Sequence, residues 1–154
     1  MDITEGSKAP AFDMATADGG RVSLNGLGGR KVVLYFYPKA DTPGCTTEGR
    51  DFSALIDDFE KAGATVIGVS RDPVKKLERF KAKHDLKVVL ASDEPEDVTL
   101  AWGVWVEKKL YGREYMGIER ATFLIDGDGV VRRVWRKVSV KGHAAEVLAA
   151  VQSL

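Results

Sequence analysis

A short apolar run, followed by a proline and then by a helical pattern, constrains this chain more than any other feature. Residues 32–37 (Val-Val-Leu-Tyr-Phe-Tyr) are β-branched, aliphatic or aromatic throughout, which is typical of a strand buried on both faces. Pro38 ends the run. Beyond residue 51, apolar side chains recur at i, i+3, i+4 and i+7, at Phe52, Leu55, Ile56 and Phe59. This spacing predicts a helix with one apolar stripe, so the chain passes from a buried strand to a helix within residues 38–51.

Cys45, the only cysteine, lies in this transition. Thr42, Pro43 and Gly44 are placed at the predicted helix start, where the first amide N–H groups have no partner within the helix. The helix dipole also favours negative charge there, so a thiolate at Cys45 would be stabilised. The alternative is that Cys45 is a small buried hydrophobic residue, as free cysteines often are. Either way, one cysteine forms no internal disulfide, which fits a reducing compartment.

The composition is that of an ordinary globular chain with a single domain over residues 1–154. Lys and Arg number 23 and Asp and Glu number 23, and the resulting net charge of zero argues against nucleic acid as a partner. Residues 1–8 contain no apolar signal core, and the run 32–37 is too short to cross a bilayer. We therefore expect a cytoplasmic protein that has no membrane partner.

Strands and helices alternate in the pattern, and two turn sequences predict hairpins. Asp18-Gly19-Gly20 would join strands at 10–14 and 21–24, and residues 126–129 would join strands at 122–125 and 130–135. Two further strands are predicted at 65–70 and 87–91. Helices are predicted from Cys45 to Gly63, from Asp72 as N-cap and Pro73 as first helical residue through 83, from 93–96 to Gly103, and over 144–151.

This order of elements predicts an α/β fold. A central mixed β-sheet would be flanked by helices on both faces, with a β-hairpin at the amino terminus. The segment from Trp105 to Tyr115 has no clear pattern and is left unassigned.

The sequence from Tyr35 to Glu48 contains the pattern Pro38-x-x-x-Thr42-x-x-Cys45. This pattern resembles the active-site motif of the peroxiredoxins, and the fuller segment is similar to the bacterioferritin comigratory protein, or peroxiredoxin Q, branch. The downstream segments that support the resemblance are residues 103–105, 111–118 and 120–126. The resemblance implies a thioredoxin-like fold and a thiol-dependent peroxidase that reduces hydrogen peroxide and organic hydroperoxides. It implies no cofactor and no metal.

The resemblance also implies roles for individual residues. Cys45 would be the peroxidatic nucleophile, Thr42 and Arg120 would contact peroxide and thiolate, and Pro38 would shield the sulfur from water. Gly44 would supply a backbone N–H donor, and Glu48 would orient Arg120. Without the resemblance, other interpretations stay open: Thr42 as an N-cap, Pro38 as turn punctuation and Glu48 as a dipole partner.

One position departs from the family pattern. Many members of this branch carry a resolving cysteine five residues after the peroxidatic one, and Arg50 occupies that place here. The resemblance therefore implies a one-cysteine enzyme whose sulfenic acid is reduced by an outside thiol of the thioredoxin, glutaredoxin or glutathione type. It also implies a monomer or weak dimer.

Other functions of a cysteine at a helix start have requirements that differ from those of a peroxidase. A cysteine hydrolase needs a histidine base near Cys45, whereas we expect His84 and His143 to be surface or capping residues. A thioredoxin-like disulfide reductase needs Cys-x-x-Cys, which residues 45–48 do not form. A noncatalytic binding module with a thioredoxin fold remains as the second alternative.

Overall fold

The computed structural model describes residues 3–154, in which seven strands form one central sheet and two more form a separate hairpin. The strands are β1 (Asp13–Thr16), β2 (Arg21–Ser23), β3 (Lys31–Phe36), β4 (Ala64–Ser70), β5 (Val89–Ser92), β6 (Trp105–Leu110), β7 (Arg113–Ile118), β8 (Ala121–Ile125) and β9 (Val131–Trp135). The helices are α1 (Pro43–Ala54), α2 (Ile56–Lys61), α3 (Val74–His84), α4 (Val98–Ala101) and α5 (His143–Gln152).

The central sheet is mixed, as the sequence predicts. Its strand order is β2-β1-β5-β4-β3-β8-β9. β3 pairs in parallel with β4, and β4 pairs in parallel with β5, whereas β8 pairs antiparallel with both β3 and β9. The parallel pairs follow from the helices that connect them, because a strand must cross over through a helix to return in the same direction.

The apolar run in β3 divides its side chains between the two faces of the sheet. Val33 and Tyr35 pack with the apolar sides of α1, α2, α3 and α5. Leu34 and Phe36 face the opposite side, where Trp102, α4 and residues from the amino-terminal segment cover the sheet. Alternate residues of a strand point to opposite faces, so a strand covered on both sides must be apolar at every position.

Both predicted hairpins of the central sheet are confirmed. β1 and β2 pair antiparallel around Asp18-Gly19-Gly20, with Met14 opposite Val22. β8 and β9 pair antiparallel on either side of residues 126–130. The strand 65–70 and the final helix 144–151 also appear, as β4 and α5, each extended by one or two residues.

The prediction of a single helix after Cys45 is wrong in one respect, because the observed helix is divided at Leu55. The Leu55 N–H donates to the Phe52 carbonyl at 3.2 Å, three residues back, and its backbone (φ −103°, ψ 8°) leaves the helical conformation. Phe52 and Phe59 on either side of the break are both fully buried. Gly63 adopts φ +80° after the second helix, as expected of a left-handed residue beyond a helix end.

The predicted capping of α3 by Asp72 is also wrong. Pro73 is the N-cap, and the helix begins at Val74. The Asp72 carboxylate is directed elsewhere, since it accepts hydrogen bonds from the Ala40 N–H at 2.7 Å and the Ser70 hydroxyl at 2.8 Å.

The helix predicted to begin within residues 93–96 begins later, at Val98. Glu96 has a left-handed backbone (φ +67°) and keeps the intervening residues out of the helix. Asp93 still acts as the capping acid from a distance: its carboxylate accepts the N–H groups of Val98 at 3.1 Å and Thr99 at 2.8 Å.

The segment without a clear pattern forms the hairpin of β6 and β7. Tyr111 and Gly112 make its two-residue turn, and both have positive φ angles, +51° and +77°. Two consecutive left-handed residues are the requirement of the turn type that best fits the twist of a tight hairpin.

No helix within residues 3–154 has both the length and the apolar character needed to cross a membrane.

Candidate active site

Cys45 is the third residue of α1, and only 2% of its surface is exposed. The helix begins at Pro43, with Thr42 as its N-cap, as the sequence predicts. The Thr46 N–H donates to the Thr42 carbonyl at 2.8 Å, so the Gly44 and Cys45 N–H groups precede the first intrahelical bond. The cysteine therefore lies among the N–H groups of the first helical turn, at the positive end of the helix dipole, where negative charge is stabilised.

Arg120, the residue immediately before β8, contacts the Cys45 sulfur. β3 and β8 pair so that Phe36 lies opposite Ala121, which places Arg120 beside the end of the strand that leads to the cysteine. Its Nη2 donates to Cys45 Sγ at 3.3 Å, and its Nη1 donates to Glu48 Oε1 at 2.6 Å. One guanidinium thus joins two groups of the same helix, and the sequence separation of 75 residues is closed by strand pairing.

Glu48 is buried beneath this arginine, with 1% of its surface exposed. Burial raises the pKa of Glu48 to about 7, although the Arg120 guanidinium acts in the opposite direction. Within the described part of the chain, its second oxygen, Oε2, has no hydrogen-bond partner, which is consistent with a carboxyl group that binds a proton readily. Burial lowers the pKa of Arg120, but the charges of Glu48 and Cys45 outweigh it, so the pKa is raised and the guanidinium stays charged.

Thr42 is at the N-cap but does not cap through its side chain. Its hydroxyl donates to the Lys39 carbonyl at 2.8 Å. Because the hydroxyl proton is donated to this carbonyl, the lone pairs of the Thr42 oxygen remain to accept a hydrogen bond from a ligand. A protonated hydroperoxide oxygen would satisfy that acceptor.

Gly44 and Pro38 are both exposed, and Gly44 lies against Arg120. A Cβ atom at Gly44 would be 3.2 Å from Arg120 Nη2, so the glycine leaves room for the guanidinium. Pro38 follows the buried Tyr37 at the end of β3 and is exposed, and its expected role in shielding the sulfur stays a prediction.

The loop that leads to the cysteine is held by hydrogen bonds and ion pairs that the sequence analysis did not predict. The Ala40 N–H donates to Asp72, and the Asp41 carboxylate accepts Lys83 Nζ at 2.9 Å and binds His84 Nε2 at 2.8 Å. Asp41 has a left-handed backbone (φ +64°), which Asp tolerates better than most residues. The sequence feature that could have indicated these contacts is Asp41 itself, an aspartate shortly before a predicted helix start.

The histidine expectations were partly wrong. His143 is buried, 5% exposed, because it packs against the rings of Phe52 and Trp135, and its Nε2 lies 2.8 Å from the Thr122 hydroxyl. Burial lowers the pKa of His143. His84 is half-buried and caps no helix start, since it pairs with Asp41. Across residues 3–154, neither histidine hydrogen-bonds Cys45.

Comparison with known proteins identifies the family. A model of the AhpC/TSA family matches residues 6–134. The chain belongs to the AhpC/TSA family. A putative peroxiredoxin of Coxiella burnetii is 49% identical over 148 residues, which are 96% of this chain and 98% of the relative. Peroxiredoxin Bcp of Bacillus subtilis is 46% identical over 154 residues, which are 100% of this chain and 98% of the relative. The chain is thus a peroxiredoxin of the bacterioferritin comigratory protein, or peroxiredoxin Q, branch.

Solved peroxiredoxin structures confirm the fold. A structure of the bacterioferritin comigratory protein of Xanthomonas campestris, described with its alkyl peroxide reduction activity, has a TM-score of 0.88 at 46% identity. The match covers 92% of this chain and 90% of that one. A cysteine-to-serine mutant of Xylella fastidiosa PrxQ has a TM-score of 0.94 at 37% identity, with coverage of 99% and 98%. The predicted thioredoxin-like fold with an N-terminal hairpin is therefore correct.

Proposed function

We propose that this peroxiredoxin is a one-cysteine, thiol-dependent peroxidase that reduces hydrogen peroxide and organic hydroperoxides at Cys45. The observation that carries the proposal is the 3.3 Å contact between Arg120 Nη2 and Cys45 Sγ at the start of α1. A guanidinium at this distance donates a charge-assisted hydrogen bond to the sulfur and would stabilise negative charge that develops on a neighbouring oxygen.

The oxidative step breaks the O–O bond of the peroxide. The Cys45 thiolate attacks one oxygen, and the other leaves as hydroxide or alkoxide and takes up a proton from water. Cys45 becomes a sulfenic acid. The Thr42 hydroxyl donates its proton to the Lys39 carbonyl, so the Thr42 oxygen would accept a hydrogen bond from the protonated peroxide oxygen. This hydrogen bond would fix the direction from which the peroxide approaches the sulfur.

The donors around the sulfur would stabilise the transition state. Arg120 and the N–H groups of Gly44 and Cys45 surround the place where charge develops, and removal of one such donor from an oxyanion site typically costs about 10²- to 10³-fold in rate. Glu48 would act by holding Arg120, through the 2.6 Å contact. Pro38 would limit the access of water to the sulfur.

The reductive step needs a thiol from outside the chain. Cys45 is the only cysteine, and Arg50, at the position where related enzymes carry a second one, is exposed on α1. We propose a small or protein thiol of the glutathione, glutaredoxin or thioredoxin type as reductant. A free catalytic thiol also favours a reducing compartment, the cytoplasm, and we propose a monomer or weak dimer as the working form.

The competing functions have less support. A cysteine hydrolase would need a base at the sulfur, and Arg120 is a donor without an acceptor site, which would not remove a proton. A noncatalytic binding module would not require the Arg120–Glu48 ion pair, in which the second guanidinium nitrogen donates to the Cys45 sulfur.

Peroxide consumption in the presence of dithiothreitol tests the proposal. Cys45→Ser should abolish turnover, and Arg120→Met should lower the second-order rate constant for peroxide by about 10²- to 10³-fold. Arg132→Met is the matched control, because Arg132 lies on β9, is about half exposed and pairs with Asp126. Turnover by Cys45→Ser, or equal losses in the two arginine variants, would contradict the proposal.

A further inference from the structure

Lys108 is a cation beside the site that the proposed mechanism does not use. In the hairpin of β6 and β7, Lys108 pairs with Tyr115 and Val106 pairs with Gly117, so these residues share one face. A Cβ atom at Gly117 would be 3.2 Å from Lys108 Cδ and 3.4 Å from Cε. The aliphatic stem of the lysine therefore lies diagonally across the space that a side chain at Gly117 would fill.

The side chain thus runs along the hairpin towards the end of β7 that leads to Arg120. β7 ends at Ile118, and Arg120 follows two residues later. Burial lowers the pKa of Lys108, the Arg120 charge lowers it further, and the charges of Cys45 and Glu119 raise it. Lys108 forms no salt bridge within residues 3–154, in contrast to Lys109, which lies on the other face of the hairpin and pairs with Glu114 at 3.5 Å.

The charge of the site changes during the catalytic cycle. In the reduced enzyme the Cys45 thiolate and the ionised fraction of Glu48 offset the cations Arg120 and Lys108. After peroxide reduction, the electrophilic form of Cys45 is a neutral sulfenic acid. One negative charge is then missing near the two cations, and the charges of Glu48 and Glu119 remain to balance them.

We propose that Lys108 selects the reductant, by attracting anionic thiols to the Cys45 sulfenic acid. This inference rests on the proposed peroxidase function. In the step concerned, a thiolate attacks the sulfenic sulfur, the S–S bond of a mixed disulfide forms, and the S–O bond breaks. Hydroxide leaves and takes a proton from water. A second thiolate then attacks the mixed disulfide and releases the Cys45 thiolate together with the oxidised disulfide of the reductant.

The test compares three small thiols that differ in charge: 3-mercaptopropionate, 2-mercaptoethanol and cysteamine. Each variant is first oxidised with one equivalent of hydrogen peroxide, and the rate of sulfenic acid loss with each thiol is followed by mass spectrometry after rapid mixing. The ratio of variant to wild-type rate for one thiol cancels that thiol's intrinsic reactivity. The variants are Lys108→Gln, the charge-preserving Lys108→Arg and the control Lys109→Gln.

We expect Lys108→Gln to lower the rate of sulfenic acid loss most with 3-mercaptopropionate, by about three- to ten-fold. This is the size expected for one charge at a partly solvated site. The loss should be smaller for 2-mercaptoethanol and smallest for cysteamine, and 0.5 M salt should reduce the differences. Lys108→Arg should keep most of the wild-type preference for the anionic thiol, and Lys109→Gln should keep all of it.

The outcomes are distinguishable. Equal losses for the three thiols would indicate a purely structural effect and overturn the inference, as would no loss in Lys108→Gln. Either result leaves the peroxidase function intact, because the oxidation step has already been observed. Absence of a sulfenic acid in the wild type would overturn the proposed function, and the inference with it.

Discussion

Gly44 and Arg120 are in such close contact that a single added methyl group would disturb them. A Cβ atom at residue 44 would lie 3.2 Å from the Nη2 atom, the same nitrogen that donates to the Cys45 sulfur. The guanidinium would have to move by a few tenths of an ångström to make room. The absence of a side chain at Gly44 thus leaves the space that the Arg120 guanidinium occupies.

Gly44→Ala should therefore lower activity without lowering stability. We expect a fall of roughly ten-fold in the second-order rate constant for peroxide, because small displacements of catalytic groups have large effects on rate. Alanine favours a helix by up to about 1 kcal/mol relative to glycine, so the free energy of unfolding should hold or rise. Stopped-flow oxidation and urea unfolding measure the two quantities.

Gly49→Ala is the matched control for this substitution. Gly49 is in the same helix, but its Cβ atom would contact Leu86 Cδ1 at 3.1 Å and not the arginine. Its effect should appear in unfolding and not in the oxidation rate. A normal rate in Gly44→Ala, or equal rate losses in both variants, would show that the contact with Arg120 is unimportant.

Glu48 should give the protein a characteristic pH dependence of stability. Its pKa is about 7 in the folded protein, against about 4.3 for an ordinary glutamate. The folded state therefore binds the proton more tightly, and this stabilisation is complete below about pH 4.5 and is lost as pH rises to about 7. The expected fall in the free energy of unfolding across that window is about 3 kcal/mol.

Glu48→Gln should flatten this fall, because glutamine does not titrate and still offers an oxygen to Arg120. Urea unfolding at several pH values between 4 and 8 measures it, with Glu60→Gln as the control, since Glu60 is exposed on α2. The lowered pKa of His143 adds a rise of stability with pH in both proteins, so the difference between wild type and Glu48→Gln isolates the Glu48 effect. A difference that rises with pH through this window would mean that the ion pair with Arg120 dominates over burial.

Local patterns predicted the part of the site that depends on neighbouring residues. The apolar run of β3 and the Thr42-Pro43 helix start are short-range features, so Cys45 could be placed at the beginning of a helix from sequence. Arg120 could not be placed in this way, because its approach depends on the register between β3 and β8. Its assignment came from the family resemblance.

Several features depend on tertiary contacts that leave no local signal. No glycine or proline marks the helix break at Leu55. His143 is polar and begins a helix, yet Phe52 and Trp135 enclose it. The β6–β7 hairpin was unassigned because a tyrosine, not an asparagine or glycine, occupies the first left-handed turn position.

Sustained oxidation should damage the enzyme when thiol is absent. Because the chain has no second cysteine to trap the sulfenic acid, excess peroxide should drive Cys45 to the sulfinic acid, with permanent loss of activity. Added thiol should protect it. Mass spectra that show a stable sulfenic acid under sustained excess of peroxide would contradict this expectation.

The most direct test of the account is the intact mass of the protein after one equivalent of hydrogen peroxide, followed by addition of thiol. We predict that the wild type gains one oxygen atom, located on Cys45, and loses it when thiol is added, whereas Cys45→Ser gains none. An unchanged wild-type mass with the peroxide still present, or the same gain in Cys45→Ser, would show that Cys45 is not the peroxidatic residue.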